Sequence, residues 1–294
     1  MENKIKRESH LVPPRTEAIR LSDYLGGVFQ SIPSRKGMKK AIKKQLVFVD
    51  GEVASTAKYL YGGETIDLYE EAKKKSTLQL DLGILYEDED LAVVNKPSGI
   101  VVSGNQFRTL ENALPNSLEK STKIDRLAFP KPAHRLDFPT SGVLLVAKTQ
   151  GTLASLKKQF EAHQIQKVYH AICIGEIPQK GYLKSPIQGK WASTQYEVLE
   201  RVASSKYGYL NLLEVQILTG RRHQIRIHLS EIGHPILGDV QYGKESLTSS
   251  GNGLYLHASS IQFQHPITQV VVSISQMLPK KFKKIFRSLN SWYN

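Results

Sequence analysis

The 294-residue sequence lacks the features that mark exported and membrane-spanning proteins. It has one cysteine, Cys173, so no disulfide can form within the chain, and a reducing, cytoplasmic compartment is expected. No apolar run approaches the roughly 18 residues that cross a bilayer. The opening residues, MENKIKRESH, have no apolar core and so predict no secretory signal.

The sequence also lacks the short motifs of common nucleotide-dependent and metal-dependent enzymes. It contains no P-loop, no Gly-x-Gly-x-x-Gly and no Gly-x-Ser-x-Gly. The nine histidines form no ligand set with the single cysteine. His223 and His228 are five residues apart, which misses the i,i+4 spacing that places two ligands on one helix face. We expect no metal ion and no cofactor.

Positive charge is what the sequence has in excess. Forty lysines and arginines against 27 acidic residues give a formal net charge of +13 and a pI near 9.6. This excess favours a polyanionic partner, most simply nucleic acid, and the alternative is a basic protein without such a partner. The length allows two domains, or one large domain with an appendage.

The first 70 residues predict a polar arm followed by a small domain. Residues 1–17 are polar and are expected to be an extended arm. Within residues 18–70, apolar side chains from Leu21 to Phe29 recur at helical spacing. Ser34 offers an N-cap for a second helix, and Asp50-Gly51 predicts a hairpin turn.

The second predicted helix carries positive charge without any acidic residue. Its cations are Arg35, Lys36, Lys39, Lys40, Lys43 and Lys44. Like charges on one helix repel each other, and a phosphate backbone relieves that repulsion because each neutralised phosphate releases counterions. A solvated charged face is the alternative. With Val47–Glu52 and Gly62-Gly63-Glu64, this region resembles an S4 RNA-binding domain.

The most informative stretch of the chain runs from His134 to Lys148. It reads His-Arg-Leu-Asp, Phe-Pro and Thr-Ser-Gly, and then continues as an apolar run of strand length. Asp137 is therefore a lone carboxylate in a loop that is fixed at the start of a buried strand, which suits a catalytic group. The alternative is an aspartate that begins a turn and pairs with Arg135.

This stretch resembles the signature of the RluA family of pseudouridine synthases. Three further matches follow the family order: Asn-Lys-Pro-Ser-Gly at 95–99, Lys-Val-Tyr-His-Ala around Tyr169, and Thr-Gly-Arg-Arg-His-Gln-Ile-Arg ending at Arg226. The resemblance extends from about residue 80 to residue 285. The sequence departs from the family wording at Phe138-Pro139, where polar or charged residues are usual.

The resemblance implies roles for individual residues. Asp137 matches the catalytic aspartate, Tyr169 the tyrosine that stacks on the target base, and Arg226 the arginine that pairs with the aspartate. Arg135 is expected to brace the gap that a flipped base leaves in the RNA. His134, Arg222 and His223 are further RNA-binding candidates. Whether Asp137 first attacks the sugar or first abstracts a proton stays open.

The sequence thus predicts an α+β protein that isomerises uridine to pseudouridine in RNA. Residues 71–79 would link the S4-like α/β-hairpin domain to a catalytic domain at 80–294, which would have a mixed, largely antiparallel sheet. Ribosomal RNA is the favoured substrate, with transfer RNA as the second choice, and a monomer is expected. The competing hypothesis is a non-catalytic RNA-binding protein that uses the S4-like module.

Overall fold

The computed structural model describes residues 4–71, 77–243 and 251–286. The strands are β1 (Lys4–Leu11), β2 (Ile19–Arg20), β3 (Val47–Val49), β4 (Glu52–Val53), β5 (Tyr59–Leu60), β6 (Thr65–Glu71), β7 (Gly83–Glu87), β8 (Leu91–Lys96), β9 (Arg126–Pro132), β10 (Ser141–Thr149), β11 (Gln166–Ile174), β12 (Lys180–Ile187), β13 (Lys190–Ser204), β14 (Gly208–Ile217), β15 (Leu256–Gln264) and β16 (Val271–Ser275). The helices are α1 (Leu21–Tyr24), α2 (Arg35–Lys43), α3 (Leu110–Ser117), α4 (Gln150–Glu161), α5 (Gln224–Glu231) and α6 (Lys280–Ile285).

The described residues form two compact units. The N-terminal unit comprises residues 4–71 together with 121–128. The larger unit, called the catalytic unit because the family resemblance predicts that role for it, comprises residues 77–120, 129–243 and 251–286. Of the predicted linker at 71–79, residues 72–76 lie outside the described residues, and Leu78 packs against the core of the catalytic unit. Within the described ranges, no helix is long and apolar enough to cross a membrane.

The N-terminal unit is built on a four-stranded sheet in the order β1-β6-β3-β4. Helix α2 begins as predicted, because the Ser34 hydroxyl accepts a hydrogen bond from the Gly37 N–H at 3.1 Å. The predicted hairpin turn is also present, with Asp50 and Gly51 both at positive φ between β3 and β4. The first predicted helix is shorter than expected, since only Leu21–Tyr24 is helical.

The segment expected to be an N-terminal arm instead contributes an edge strand. β1 pairs antiparallel with β6, and Lys6 forms an ion pair with Asp67 at 2.6 Å. Arg7 pairs with Glu70 at 2.7 Å and also donates to the carbonyl of Ile124 at 2.9 Å. Ion pairs and backbone pairing therefore hold this strand in place. Because it does not depend on apolar contacts, the sequence lacks the apolar alternation that would have predicted a strand.

The catalytic unit is built on a ten-stranded mixed sheet, which confirms the predicted α+β fold. Its main path runs β12-β13-β14-β11-β15-β10-β8-β7, with β16 paired to β15 and β9 to β10. Along that path the pairs are antiparallel except β10 with β15, which is parallel. Strand β10 is almost wholly buried between β8 and β15, as its apolar run predicted.

The register of these strands places one row of residues across the centre of the sheet. Gly142 on β10 is paired with Lys96 on β8 and with Ala258 on β15. Ala258 is in turn paired with Tyr169 on β11. Paired residues share a sheet face, so Lys96 and Tyr169 flank two residues with little or no side chain. The backbones of Gly142 and Ala258 approach each other closely at this point.

Several elements of the catalytic unit differ from the sequence-based expectations. Helix α3 and strands β9 and β12 lie in segments for which no element was predicted. The segment Leu237-Gly238-Asp239 forms a turn that follows an isolated bridge between Ile236 and Cys173. Cys173 itself is fully buried in the core, and burial raises the pKa of its thiol to about 12.

Gly142 gives a test of this central row. Its φ is +117°, and a Cβ there would lie 2.1 Å from the carbonyl oxygen of Ala258. We expect Gly142→Ala to lower the free energy of unfolding by more than about 4 kcal/mol, measured by urea denaturation. Gly189→Ala is the matched control, because Gly189 also has a positive φ (+74°) but an added Cβ meets no atom within 4 Å.

We expect Gly189→Ala to lower the free energy of unfolding by only about 1 kcal/mol, which is the strain of a left-handed backbone at a non-glycine residue. Equal losses in the two variants would show that the close contact between β10 and β15 does not limit the residue at 142.

Candidate active site

Lys96 holds the loop that carries Asp137. Its ammonium group is fully buried and donates to the carbonyl oxygens of Thr140 at 2.7 Å, Pro97 at 3.0 Å and Phe138 at 3.3 Å. Burial lowers the pKa of Lys96 to about 8, and the negative charge of Asp137 acts in the opposite direction. The Lys-Pro turn at the end of β8 therefore fixes the backbone on which Asp137 sits.

Arg226 is fixed by a buried carboxylate that the sequence did not reveal. Its Nε donates to Asp239 Oδ2 at 2.7 Å and its Nη2 donates to Asp239 Oδ1 at 2.8 Å. Burial alone would raise the pKa of Asp239, but hydrogen bonds from Arg226 and from the backbone N–H groups of Tyr242 and Gln241 lower it overall. This two-point contact leaves the guanidinium little freedom to move.

The remaining side of the Arg226 guanidinium faces Asp137. Nη1 of Arg226 lies 3.6 Å from Asp137 Oδ2, and Nε2 of His223 lies 3.7 Å from Asp137 Oδ1. His223 has a left-handed backbone (φ 59°) at the start of α5, and its Nδ1 lies 2.8 Å from the Tyr242 hydroxyl. Burial lowers the pKa of His223, and Asp137 opposes that shift. Arg226 is thus the fixed positive charge beside Asp137.

Tyr169 forms another wall of the same pocket. Its side chain is 7% exposed. Burial raises the pKa of the Tyr169 phenol well above its ordinary value, and the charge of Asp137 adds to the shift. The pocket has a volume of about 510 Å³, and Asp137, Tyr169 and Arg226 all line it. This volume is in the range of small-molecule sites, so one nucleoside can enter.

The other predicted RNA contacts divide into pocket residues and a separate helix. Arg135, Arg222 and His223 line the pocket, with Arg135 and Arg222 exposed. His134 also lines it, but its Nε2 accepts a hydrogen bond from the Leu145 N–H at 3.0 Å. Burial lowers the pKa of His134 to about 3, so the ring is neutral and adds no positive charge for RNA.

Five of the six predicted cations lie on α2, Lys44 is its C-cap, and all six are exposed in the N-terminal unit. Arg35 pairs with Asp23, and Lys44 pairs with Glu71 at 3.4 Å. Among the described residues, the other four form no ion pair within 4.0 Å; they are Lys36, Lys39, Lys40 and Lys43. Most of the charge on this helix is therefore open to a partner. Its role in RNA binding stays a prediction.

A carboxylate, a fixed arginine and a buried tyrosine at one basic pocket fit an enzyme that acts on a base of a nucleic acid. Comparison with known protein families identifies which one. The model of the RNA pseudouridylate synthase family matches residues 90–231, which contain Asp137, Tyr169 and Arg226. The chain belongs to the RluA family of RNA pseudouridine synthases, and it is an isomerase that converts uridine to pseudouridine in RNA.

Individual relatives agree with this assignment over most of their length. The chain is 34% identical to a protein of Aquifex aeolicus named "Uncharacterized RNA pseudouridine synthase", covering 92% of this chain and 93% of that one. It is 31% identical to "Ribosomal large subunit pseudouridine synthase D" of Nitrosomonas europaea, covering 95% and 87%. Among solved structures, "Human RNA Pseudouridylate Synthase Domain Containing 4" is 26% identical with a TM-score of 0.55, covering 71% and 93%.

Three residues of the site were not singled out in the sequence. The sequence marks Lys96 only as part of a family motif, although its ammonium group supports the Asp137 loop. Asp239 follows a glycine in a turn, and its sequence context does not mark it as a site residue. The only available signal was general, namely that a buried arginine such as Arg226 requires a carboxylate partner. The ring of Tyr242 lies 4.9 Å from the guanidinium carbon of Arg226, a contact without a sequence signal.

Lys96→Met tests whether the ammonium group positions Asp137. We expect the free energy of unfolding to fall by about 1–3 kcal/mol, because buried carbonyl oxygens lose their donor. We also expect kcat to fall by about 10-fold or more, because small displacements of a catalytic group reduce turnover steeply. Urea denaturation and the release of tritium from RNA labelled at uridine C5 measure the two effects.

Lys148→Met is the matched control for this prediction. Lys148 is also buried, and its Nζ donates to the Asp88 carbonyl at 2.6 Å and to Glu87 at 2.8 Å, at the other end of β10. This variant should lose comparable stability and keep kcat. Equal loss of kcat in both variants would mean that Lys96 acts only through global stability.

Proposed function

We propose that the enzyme converts one or more uridines of large-subunit ribosomal RNA to pseudouridine, with Asp137, Tyr169 and Arg226 as its catalytic residues. The observation that carries the residue assignment is their convergence on one pocket, although they lie in a loop, on β11 and on α5. The ribosomal target is supported by relatives named for the large ribosomal subunit. A non-catalytic binding protein would have no need of this convergence.

The chemistry requires an ionised carboxylate beside the sugar. The bond between uracil N1 and ribose C1′ breaks, and C1′ then bonds to C5 of the same base. The proton on C5 leaves, and N1 gains a proton, so no electrons are exchanged with another molecule. Asp137, either as nucleophile or as base at the sugar, is suited to start the reaction. Arg226, 3.6 Å away, balances its charge in the pocket.

Tyr169 is suited to hold the uracil while it is detached. An aromatic face binds a base without a fixed hydrogen-bond pattern, so the ring can turn and present C5 to the sugar. The raised pKa of Tyr169 keeps its phenol protonated at neutral pH. This supports a stacking role over one in which the phenolate removes the C5 proton. Arg135, exposed at the pocket, is suited to fill the gap that the flipped uridine leaves in the RNA.

The N-terminal unit is proposed to bind RNA as an S4-like module. The support is the exposed face of α2, where four cations form no ion pair within 4.0 Å among the described residues. Such a face binds phosphates of any sequence, while the pocket selects the base. We further propose that the enzyme acts in the cytoplasm, because a single cysteine suits a reducing compartment. We propose that it acts as a monomer, because the three catalytic residues come from one chain.

The substitution Asp137→Asn tests the catalytic role. Large-subunit ribosomal RNA and transfer RNA are transcribed in vitro with tritium at uridine C5. The unchanged enzyme should release label to water from the ribosomal transcript, and Asp137→Asn should release it at least about 10³-fold more slowly while binding the RNA similarly. Asp81→Asn, an exposed carboxylate in the same unit, is the control. Equal release by Asp137→Asn and the unchanged enzyme would contradict the role, and release from transfer RNA alone would change the proposed substrate.

A triple change of Lys36, Lys40 and Lys43 to Ser tests the role of α2. RNA affinity should weaken across unrelated sequences, and the slope of log K against log salt should become shallower by about 2–3 units, because each lost phosphate contact removes nearly one unit. The turnover of saturating RNA should stay close to that of the unchanged enzyme. Filter binding over a range of salt concentrations gives the slope.

The matched control removes the same charge from the catalytic unit. Three of its exposed lysines, Lys120, Lys180 and Lys206, are again changed to Ser. A slope change of the same size in both triple variants would mean that net charge, and not the α2 face, sets the affinity.

A further inference from the structure

Phe138 is an exposed aromatic residue beside the catalytic aspartate. Its side chain is 56% exposed, although it directly follows Asp137, which is mostly shielded from water. Single exposed apolar residues are common on proteins and need no explanation by themselves. Phe138 differs from most of them in its place, because it directly follows Asp137, which the target base has to reach.

The backbone beneath Phe138 is fixed. The Thr140 N–H donates to the Asp137 carbonyl at 3.1 Å, which closes a four-residue turn with Phe138 and Pro139 at its centre. The Phe138 carbonyl accepts from the Gly99 N–H at 2.9 Å as well as from Lys96. The loop is therefore held from below by its carbonyl groups, and the Phe138 ring is presented to solvent without the backbone having to order on binding.

The substrate supplies a partner for this ring. The target uridine is one unit of a polymer, so the nucleotides on both sides of it lie close to the pocket. When the uridine leaves its stack, a face of each neighbouring base loses its contact. Phe138 directly follows Asp137 but does not line the pocket, so its ring is placed to meet a neighbouring nucleotide and not the target base.

We propose that Phe138 stacks on the base of a nucleotide adjacent to the target uridine and so positions the RNA strand over the pocket. This inference rests on the activity of the family and not on which RNA is modified. Stacking on a phenyl ring tolerates any base, so Phe138 would contribute affinity and alignment without a strict sequence preference. The neighbouring Asp137 performs the chemistry, and Phe138 is a binding residue.

The test compares Phe138→Ala, Phe138→Leu and Phe138→Trp. The substrate is whichever C5-tritiated transcript, ribosomal or transfer, the unchanged enzyme turns over, so the result is independent of the proposed RNA target. We expect KM to rise about 10-fold in Phe138→Ala, with kcat changed less than about 2-fold because the loop backbone is unchanged. Phe138→Leu should resemble Phe138→Ala, and Phe138→Trp should restore the KM.

A direct readout places 2-aminopurine next to the modified uridine in a short RNA, first on the 5′ side and then on the 3′ side. Stacking on the ring should quench its fluorescence on one side with Phe138 or Phe138→Trp, and less with Phe138→Ala or Phe138→Leu. Tyr182→Ala is the matched control. Tyr182 is also 56% exposed, but β12 lies five strands from β10, about 24 Å away.

Three outcomes would overturn the proposal. An unchanged KM in Phe138→Ala would show that the ring does not contact RNA. A wild-type KM in Phe138→Leu would show that contact needs no aromatic face. A fall in kcat with unchanged KM would show that the residue shapes the Asp137 loop instead. Thermal unfolding of each variant should match that of the unchanged enzyme, since the ring is exposed.

Discussion

The buried ammonium group of Lys96 is the contact on which the active-site loop depends. A charge without access to water is costly unless it is well paired. Here the cost is offset by three carbonyl oxygens and by the nearby charge of Asp137. Two of those carbonyls belong to the loop itself, so the same contacts that satisfy Lys96 set the direction of Asp137. The presentation of Phe138 follows from this arrangement as well.

A second fixed charge completes the site from the other side. Arg226 is held at two points by Asp239, so it faces Asp137 without needing Asp137 to orient it. A charged group that is already oriented stabilises the transition state without a further cost in reorganisation energy, because it does not have to move when the charge distribution changes. The site therefore places Asp137 beside an arginine that Asp239 anchors, on a loop that Lys96 holds in position.

The sequence predicted the family, the sheet type and the three central residues of the site. It did so because Asp137, Tyr169 and Arg226 each lie in a motif with fixed local spacing, and the family implies the sheet type. It also predicted Ser34 as the cap of α2 and β10 as a buried strand. The failures share a physical cause. β1 is held by ion pairs and backbone pairing rather than by apolar alternation, and Asp239 acts through a contact that tertiary structure alone brings about. Local pattern reveals neither kind of contact.

The central row of the sheet also has a consequence for how the enzyme reaches its active form. β10 meets β15 in register, and Ser141 and His257, which lie 116 residues apart, are joined there by a side-chain hydrogen bond of 2.9 Å. Pairing between strands so far apart in sequence requires a large loop to close. The entropic cost of that closure must be met before any stabilising contact forms. The pocket cannot form on a partly folded or still-emerging chain. Catalytic competence therefore requires that β10 and β15 have paired, and recovered activity reports that pairing.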